Sequence, residues 1–500
     1  MAEIVRMGTR FSRFSRYVPE TIRTYLPAWL AQNQAAMAID PYLRGEHPLP
    51  VASNTQSTQE REQLRRMATT PYGRLILNST TQALNLRGVR MPGEEEVPVI
   101  WKEFWLKNKM LARQNAINRS AIGYGQAYTT VLPGQIGIKA EDGLIIRNYT
   151  PKTMTAFFQE AWDEYPAVAL NGEPQIDERG QQYWIFQLFD EEAVHYAYVY
   201  ELQLGNPDTI KIEYLESRTH ESDVTPVVYH TPLVDDDGGS RGEILPFLPI
   251  ISRLDQSVYD RLLIQRQAAW RVRTAAGVAR PQGKSAEKRM EATLKAGDLL
   301  TSDKPDTKFG TLDASSMLEH VETRNSDLKD LATATQTPVY MLTGESTNVT
   351  AEALSAISSG YQQRIEQNKR ALGMSYEKIF DLGAHQDPSL GEPESGLEMR
   401  WAEFRPYSLT QISDALGKLA QQLEIDPTLL YEYVPFMSDD DVERAADKRQ
   451  EMKDEAMAMA QAEAAAAQQG GDGADPTADP QAQRNRAKGS AADASQNKRS

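Results

Sequence analysis

The chain has no cysteine among its 500 residues. That excludes disulfides and thiolate metal sites, and it is compatible with a reducing cytosol or a particle assembled in one. Long hydrophobic runs are missing too. None approaches the ~18 consecutive apolar residues of a membrane span, although a hydrophobic share of 40% and a charged share of 25% are ordinary for a soluble protein. Positive charge is in the minority: 54 Lys and Arg face 70 Asp and Glu, a formal −16. A free nucleic-acid binder carries a basic excess, because phosphate contacts supply most of its affinity. Broad, tight DNA binding is therefore not expected, while weak contact or repulsion remains open.

Signatures of catalysis are also missing. The six histidines, His47, His195, His220, His230, His320 and His385, form no HExxH and no close pair at ligand spacing, which argues against a metal site. Gly277-Val-Ala-Arg-Pro-Gln-Gly283-Lys284-Ser285 approaches a phosphate loop. It has five residues between the glycines where the loop needs four, and Pro281 removes a donor. Asp235, Asp236 and Asp237 begin like a calcium loop, but the alternation fails at Gly239 and no glutamate stands at the twelfth place. There is no GxSxG elbow.

What is present centres on residues 318–382. Leu318, Val321, Leu328 and Leu331 recur at helical intervals and predict one apolar face. Pro338 stops that helix. A turn containing Gly344 follows, and Asn348 or Thr350 can cap the next helix. From Ala351 to Leu382 there is no proline, and Leu354, Ile357, Tyr361, Ile365, Leu372, Tyr376 and Ile379 share a narrow arc. At 1.5 Å per residue that helix is ~45–50 Å long.

Before this stretch, residues 1–30 are Arg-rich and read as a basic arm lying on a partner or a neighbouring subunit; a transit peptide is the alternative. Helices are expected at 59–67, 75–86 and 101–120, with Trp101, Trp105 and Leu111 in the core. The stripe Trp101, Phe104, Trp105 reads as core rather than as a base-stacking platform. Residues 121–230 change to strand period, with Asn171-Gly172 and Asn206-Pro207 as turns. A helix over 250–275 buries Ile251, Leu254, Val258 and Leu262 and is basic elsewhere, whereas the helix after 318 is acidic. Opposite sign favours their packing, within one subunit or between neighbours. After Pro388 come a short strand at 397–401, a helix from Ser408 to Leu423, a short one opened by Asp426-Pro427, and a third opened by the capping box Ser438-Asp439-Asp440-Asp441. From Gln468 onward large apolar groups are almost absent, which marks a disordered tail.

Three groups of segments carry a resemblance. The first is Gly242-Glu243-Ile244 through Gly277, then Leu318 to Thr337, Pro338-Val-Tyr-Met-Leu-Thr-Gly-Glu345, and Ala351-Glu-Ala-Leu354 with the helix beyond. The second is Arg400-Trp401 with Ser408-Leu-Thr-Gln-Ile-Ser-Asp-Ala-Leu-Gly-Lys418. The third is Ile122-Gly-Tyr-Gly125-Gln-Ala-Tyr128 with Tyr149-Thr-Pro151. In their order and spacing, over most of residues 70–445, they resemble the portal proteins of tailed double-stranded DNA bacteriophages, siphophage type.

The resemblance implies an α+β portal fold. Its parts are a mixed α/β wing, two stem helices flanking a small clip, one long wing helix and a helical C-terminal crown. By segment it implies an arm (1–30), the first part of the wing (31–249), stem helix 1 (250–277), clip (278–315), stem helix 2 (316–337), tunnel loop (338–350), the long helix and rest of the wing (351–407), crown (408–468) and tail (469–500). It further implies a homo-oligomeric ring, usually of about twelve subunits, at one capsid vertex of a virion assembled in the bacterial cytoplasm. The implied partners are double-stranded DNA in the tunnel, the terminase large subunit, a head–tail connector or adaptor, and the major capsid and scaffolding proteins. No membrane, catalytic residue or cofactor is implied, since terminase hydrolyses the ATP.

Carried onto this chain, the DNA-facing tunnel loop is Thr343, Gly344, Glu345, Ser346 and Asn348. None is basic, which suits sliding over gripping. In the clip, Lys284, Lys288, Arg289, Lys295 and Lys304 would meet phosphates or an acidic partner; an ordinary mixed surface is the equal alternative. Arg261, Arg266 and Arg271 on one stem helix and Glu319, Glu322 and Asp327 on the other would pair between subunits. Two other readings are a minor capsid or head protein, and a DNA-processing enzyme of the packaging machinery.

Overall fold

The computed structural model describes residues 7–50, 59–91, 98–134, 143–160, 162–200, 202, 210–220, 222–232, 240–269, 273–276, 308–311, 317–344, 351–391, 396–402, 409–423, 425–434, 437 and 439–469. The fold is mixed α and β, in two units, Met1–Ala402 and Glu403–Ser500.

The first unit opens with α1 (Met7–Arg44), a helix that contains Pro19, Pro27 and Pro41. Phe14, Val18, Ile22, Leu26 and Trp29 recur every three or four residues and are buried. They cover one face of a five-stranded antiparallel sheet in the order β4 (Met154–Phe157), β5 (Val168–Ile176), β6 (Gln182–Phe189), β7 (Ala193–Tyr200), β8 (Lys211–Thr219). Trp29 Nε1 donates to the Thr153 carbonyl at 2.7 Å, and Gln32 Nε2 to the Met154 carbonyl at 2.9 Å. This corrects the expected arm. From Phe14 onward the segment is a core element of its own chain, and its arginines occupy the solvent side of an amphipathic helix.

The sheet corrects a second expectation. Asn171-Gly172 is not a turn but lies within β5, opposite Gln187 and Phe186. Glycine is required there by space: a Cβ at position 172 would stand 2.7 Å from Phe186 and 2.8 Å from Trp29. Residues 203–209, which hold the expected Asn206-Pro207 turn, lie outside the described residues.

A second sheet, in the order β3 (Leu144–Tyr149), β2 (Ala127–Pro133), β9 (Val227–His230), packs with the helices that form the main core. Those helices include α2 (Gln59–Ala68), α3 (Tyr72–Gln82) and α4 (Met110–Tyr124). The expected helix over 75–86 ends at Gln82, and Leu86–Arg90 is instead β1, paired antiparallel with β12 (Glu398–Trp401). The expected helix over 101–120 is broken. Trp101–Leu106 is a π-helical turn, Lys109 takes φ 56°, and α4 starts after it. The break turns Trp101, Phe104 and Trp105 into the core but leaves Leu111 51% exposed.

α5 (Leu248–Ala269) packs on α6 (Met317–Ala334). The helix expected to reach residue 275 stops at Ala269. Arg273–Ala276 forms β10, paired antiparallel with β11 (Lys308–Thr311). α7 (Val339–Thr343) leads to α8 (Ala351–Gln386), at 1.5 Å per residue about 54 Å of helix. Tyr361, Ile365, Leu372, Tyr376 and Ile379 are all buried, as the stripe predicts, while Gln363, Glu366, Gln367 and Arg370 are exposed. Trp101 and Trp105 of the π-helical turn pack against Phe380 of α8. The side chains of Leu354 and Ile357 lie outside the described residues.

The second unit holds α9 (Leu409–Gln422), α10 (Pro427–Leu430) and α11 (Asp439–Gln469). Asp426 caps α10 by accepting from the Thr428 N–H at 3.0 Å, and its carboxylate also meets Lys453 of α11 at 2.8 Å. Those bonds hold its pKa below the usual carboxylate range. The expected tail beyond Gln469 lies outside the described residues.

Candidate functional site

The chain leaves α6 through a tight reversal. Gln336 takes φ 51°, and the Thr337 N–H returns to the Ala332 carbonyl at 2.9 Å. Pro338 precedes α7, a position where its missing N–H leaves no helical bond unmade. Gly344 closes α7 at φ 72°, its N–H donating to the Tyr340 carbonyl at 2.9 Å. Thr343 is exposed and donates to the Val339 carbonyl at 3.1 Å. Two residues of the expected tunnel loop thus end an ordered turn. Glu345, Ser346 and Asn348 lie outside the described residues.

The reversal is anchored from α8 by Arg364, a residue the sequence reading did not single out. Its Nη1 donates to the Thr335 carbonyl, and its Nη2 donates to the Thr80 hydroxyl at 3.0 Å. Its Nε stands 3.2 Å from a carboxylate oxygen of Glu243, an ion pair without hydrogen-bond alignment. Burial raises the Glu243 pKa, and Arg364 works against that rise. Glu243 is held in place by its N–H, which donates to the Ile122 carbonyl at 2.9 Å. The segment that brings it there passes so close that a Cβ on Gly242 would stand 2.1 Å from the Gly123 carbonyl. Arg364 therefore joins α3, the end of α6, α8 and the segment before α5 at one point. A spaced motif does not signal this, because its three partners come from three separate parts of the chain.

α5 and α6 run antiparallel. Arg253 reaches Asp327 at 2.9 Å and Asp330 at 3.1 Å, and Ser257 donates to Asp327 at 3.2 Å. The expected attraction between the two helices is thus made inside one chain. Asp327 is buried in it, so it is corrected from a residue facing a neighbour to one that packs its own helix pair. Arg266 is half exposed and pairs with Glu60 of α2 at 2.5 Å. Arg261 is half-buried, and Glu319 and Glu322 are exposed. Arg271 lies outside the described residues, as do all five clip residues, Lys284, Lys288, Arg289, Lys295 and Lys304, the broken phosphate loop, and Asp235 to Asp237.

One arrangement imitates a catalytic triad. His195 lies between Ser217, 2.6 Å from Nδ1, and Asp190, 2.8 Å from Nε2. The ring is fully buried under Phe14 and Tyr17 of α1, with centroids at 4.8 and 6.0 Å. Asp190 also accepts from the N–H groups of Glu192 and Ala193. The trio ties a hairpin to α1 and offers no approach to a substrate. Among the described residues, no group of three His, Cys, Asp or Glu could hold a metal ion, and no helix is long and apolar enough to cross a membrane.

The sequence model of the family "Phage portal protein, SPP1 Gp6-like" matches residues 23–468. The chain belongs to the phage portal protein family. As a portal it serves at the capsid vertex, in a family of structural components rather than enzymes. No curated protein matches it. Among solved structures, it resembles a chain in the neck of an empty gene transfer agent particle computed with C6 symmetry. That likeness has 12% identity and a TM-score of 0.44, over 77% of this chain and 95% of that one. A chain in the virion of a native gene transfer agent particle shows 12% identity and a TM-score of 0.42, over 81% of this chain and 99% of that one. Likeness at this level carries no functional argument.

Proposed function

We propose that this portal assembles as a closed ring of about twelve copies, through which double-stranded DNA is packaged and ejected. The family match over residues 23–468 carries the proposal. In the ring, residues 31–249 and 351–407 act as the wing, 250–277 and 316–337 as the stem, 278–315 as the clip, 338–350 as the tunnel loop and 408–468 as the crown.

Three features support these assignments. β10 and β11 close the base of the segment between α5 and α6, as a clip projecting from a stem requires. Arg364 holds the reversal at Thr335 that leads into α7, and Gly344 closes α7 on the Tyr340 carbonyl. On α6, Leu328 and Leu331 are buried, but Leu318 is 66% exposed and Val321 is also open. Half of one apolar face thus lacks cover among the described residues, and a neighbouring stem would supply it. Arg261, Arg266, Arg271, Glu319 and Glu322 would flank that contact.

The net charge of −16 suits a channel that repels phosphate and lets DNA slide. Thr343, Gly344, Glu345, Ser346 and Asn348 would line its narrowest part. Lys284, Lys288, Arg289, Lys295 and Lys304 would meet the terminase large subunit during packaging and the head–tail connector afterwards. Capsid and scaffolding proteins would hold the wing, with assembly in the host cytoplasm.

The deciding experiment is the mass of the purified chain in solution, with negative-stain images of the same sample. Closed rings with a central hole are expected. A small fixed oligomer without a hole would overturn the reading.

A further inference from the structure

Trp162 is 92% exposed, the most exposed large apolar side chain among the described residues. It sits on the turn between β4 and β5, and that turn is fastened to α8. Tyr165 donates to the Lys378 carbonyl at 3.5 Å, and Lys378 Nζ donates to the Glu164 carbonyl at 3.0 Å. Asp163 accepts the Glu160 N–H at 2.9 Å. One turn of α8 before Lys378, Met374 is also exposed. Near them in the chain, Glu164 follows Trp162 by two residues and Glu377 follows Met374 by three; burial first, then the charges of Glu377 and Glu164, raise the Asp381 pKa to about 6 against the opposing His385 and Lys378. A fastened tryptophan with an acidic rim is the form of an interface anchor.

The complementary surface lies on the same chain. Leu75 of α3 is 38% exposed, between Arg74 and Asn78. Arg119 of α4 donates to the Asn78 side-chain oxygen, and its neighbouring charge is another cation, Arg74. Among the described residues neither guanidinium pairs with a carboxylate, in a chain whose net charge is −16. Arg74, Leu75 and Asn78 lie on the side of α3 turned away from Thr80, which faces α8 through Arg364.

We propose that Trp162 of one copy docks on Leu75, Arg74 and Arg119 of the next, with Glu164 and Glu377 facing the two arginines. The inference rests on the ring reading. A head-to-tail ring needs two different, mutually complementary patches on each subunit, and an indole between guanidinium groups gains cation–π attraction as well.

The cysteine-free chain makes the contact testable. Trp162→Cys and Leu75→Cys are both surface changes, and circular dichroism checks that they fold. Mildly oxidised, the doubly substituted chain should give a ladder of covalent oligomers up to the full ring. A mixture of the two single variants should give a crosslinked heterodimer. A control pair, Ile176→Cys with Leu75→Cys, should give neither. In parallel, Arg74→Glu with Arg119→Glu should weaken association at least tenfold by native mass spectrometry, and Glu164→Lys with Glu377→Lys in the same chain should restore it. Rings of normal mass with no ladder, or a crosslink confined within single chains, would overturn this contact alone. An unmodified chain that stays monomeric would remove the ring reading and this contact with it.

Discussion

Arg364 and Glu243 form an ion pair at 3.2 Å in the interior of the first unit, with both side chains almost out of solvent. The pair is worth less as an attraction than as a constraint, because desolvation offsets most of the Coulombic gain. Arg364 also donates to the Thr335 carbonyl just beyond α6 and to the Thr80 hydroxyl, so its loss leaves several groups unmet at once. Arg364→Met should therefore destabilise the chain by about 3–5 kcal/mol, as read by chemical denaturation. A loss under ~1 kcal/mol would mean that the junction does not depend on it.

His230 is fully buried between Ser375, at 2.7 Å from Nδ1, and Thr129, at 2.9 Å from Nε2. Ser375 already donates its hydroxyl to the Leu372 carbonyl, so Nδ1 carries the proton and Nε2 accepts from Thr129. Burial, with Lys378 adding to it, lowers the His230 pKa from 6.5 to about 3. The folded state thus binds this proton more weakly than the unfolded state. Its contribution is complete above pH 6.5 and is lost progressively as pH falls toward 3, by about 2–3 kcal/mol at pH 4.5. His230→Gln should flatten that part of the stability–pH curve, and an unchanged slope would count against the assignment.

Asp381 behaves in the opposite sense. Burial first, then Glu377 and Glu164, raise its pKa from 3.8 to about 6. Its contribution is present below pH 3.8 and is lost as pH rises through 6. Asp381→Asn should be neutral near pH 4 and stabilising at pH 8, by about 1 kcal/mol once solvent screening is allowed for. Melting temperatures at the two pH values decide it.

Deleting Gly344 to Asn348 should leave the subunit number of the ring unchanged and block DNA packaging, because the deletion removes the cap of α7 and the loop beyond it but leaves α6, α8 and the Arg364 junction in place. Packaging assays with the mutant ring test this, and normal packaging would remove the tunnel-loop assignment.

Ile365→Asp combined with Leu372→Asp should abolish soluble folding. Each places a carboxylate in a fully packed interior, at a cost of several kcal/mol without a partner. Wild-type helicity in the double variant would show that this face is not the core.

The order of helices, the apolar face of α8 and the cap at Asp426 were legible in the sequence. Each follows from periodicity or from a bond within a few residues, and local rules decide such features. What needed the tertiary structure depended on partners far along the chain. α1 begins in what reads as an Arg-rich arm until the five-stranded sheet supplies a surface for Phe14 through Trp29. Asn171-Gly172 has turn chemistry, yet Phe186 and Trp29 select its glycine for lack of a side chain. Leu318 and Val321 continue the periodic face of Leu328 and Leu331, but the described residues cover only the second pair. Arg253 shows the same limit. The sequence called for opposite charges to meet, and only the packing of α5 on α6 decided that they meet within one chain. Periodicity fixes which side of an element is apolar; which surface covers it is set by contacts that no short stretch of sequence contains.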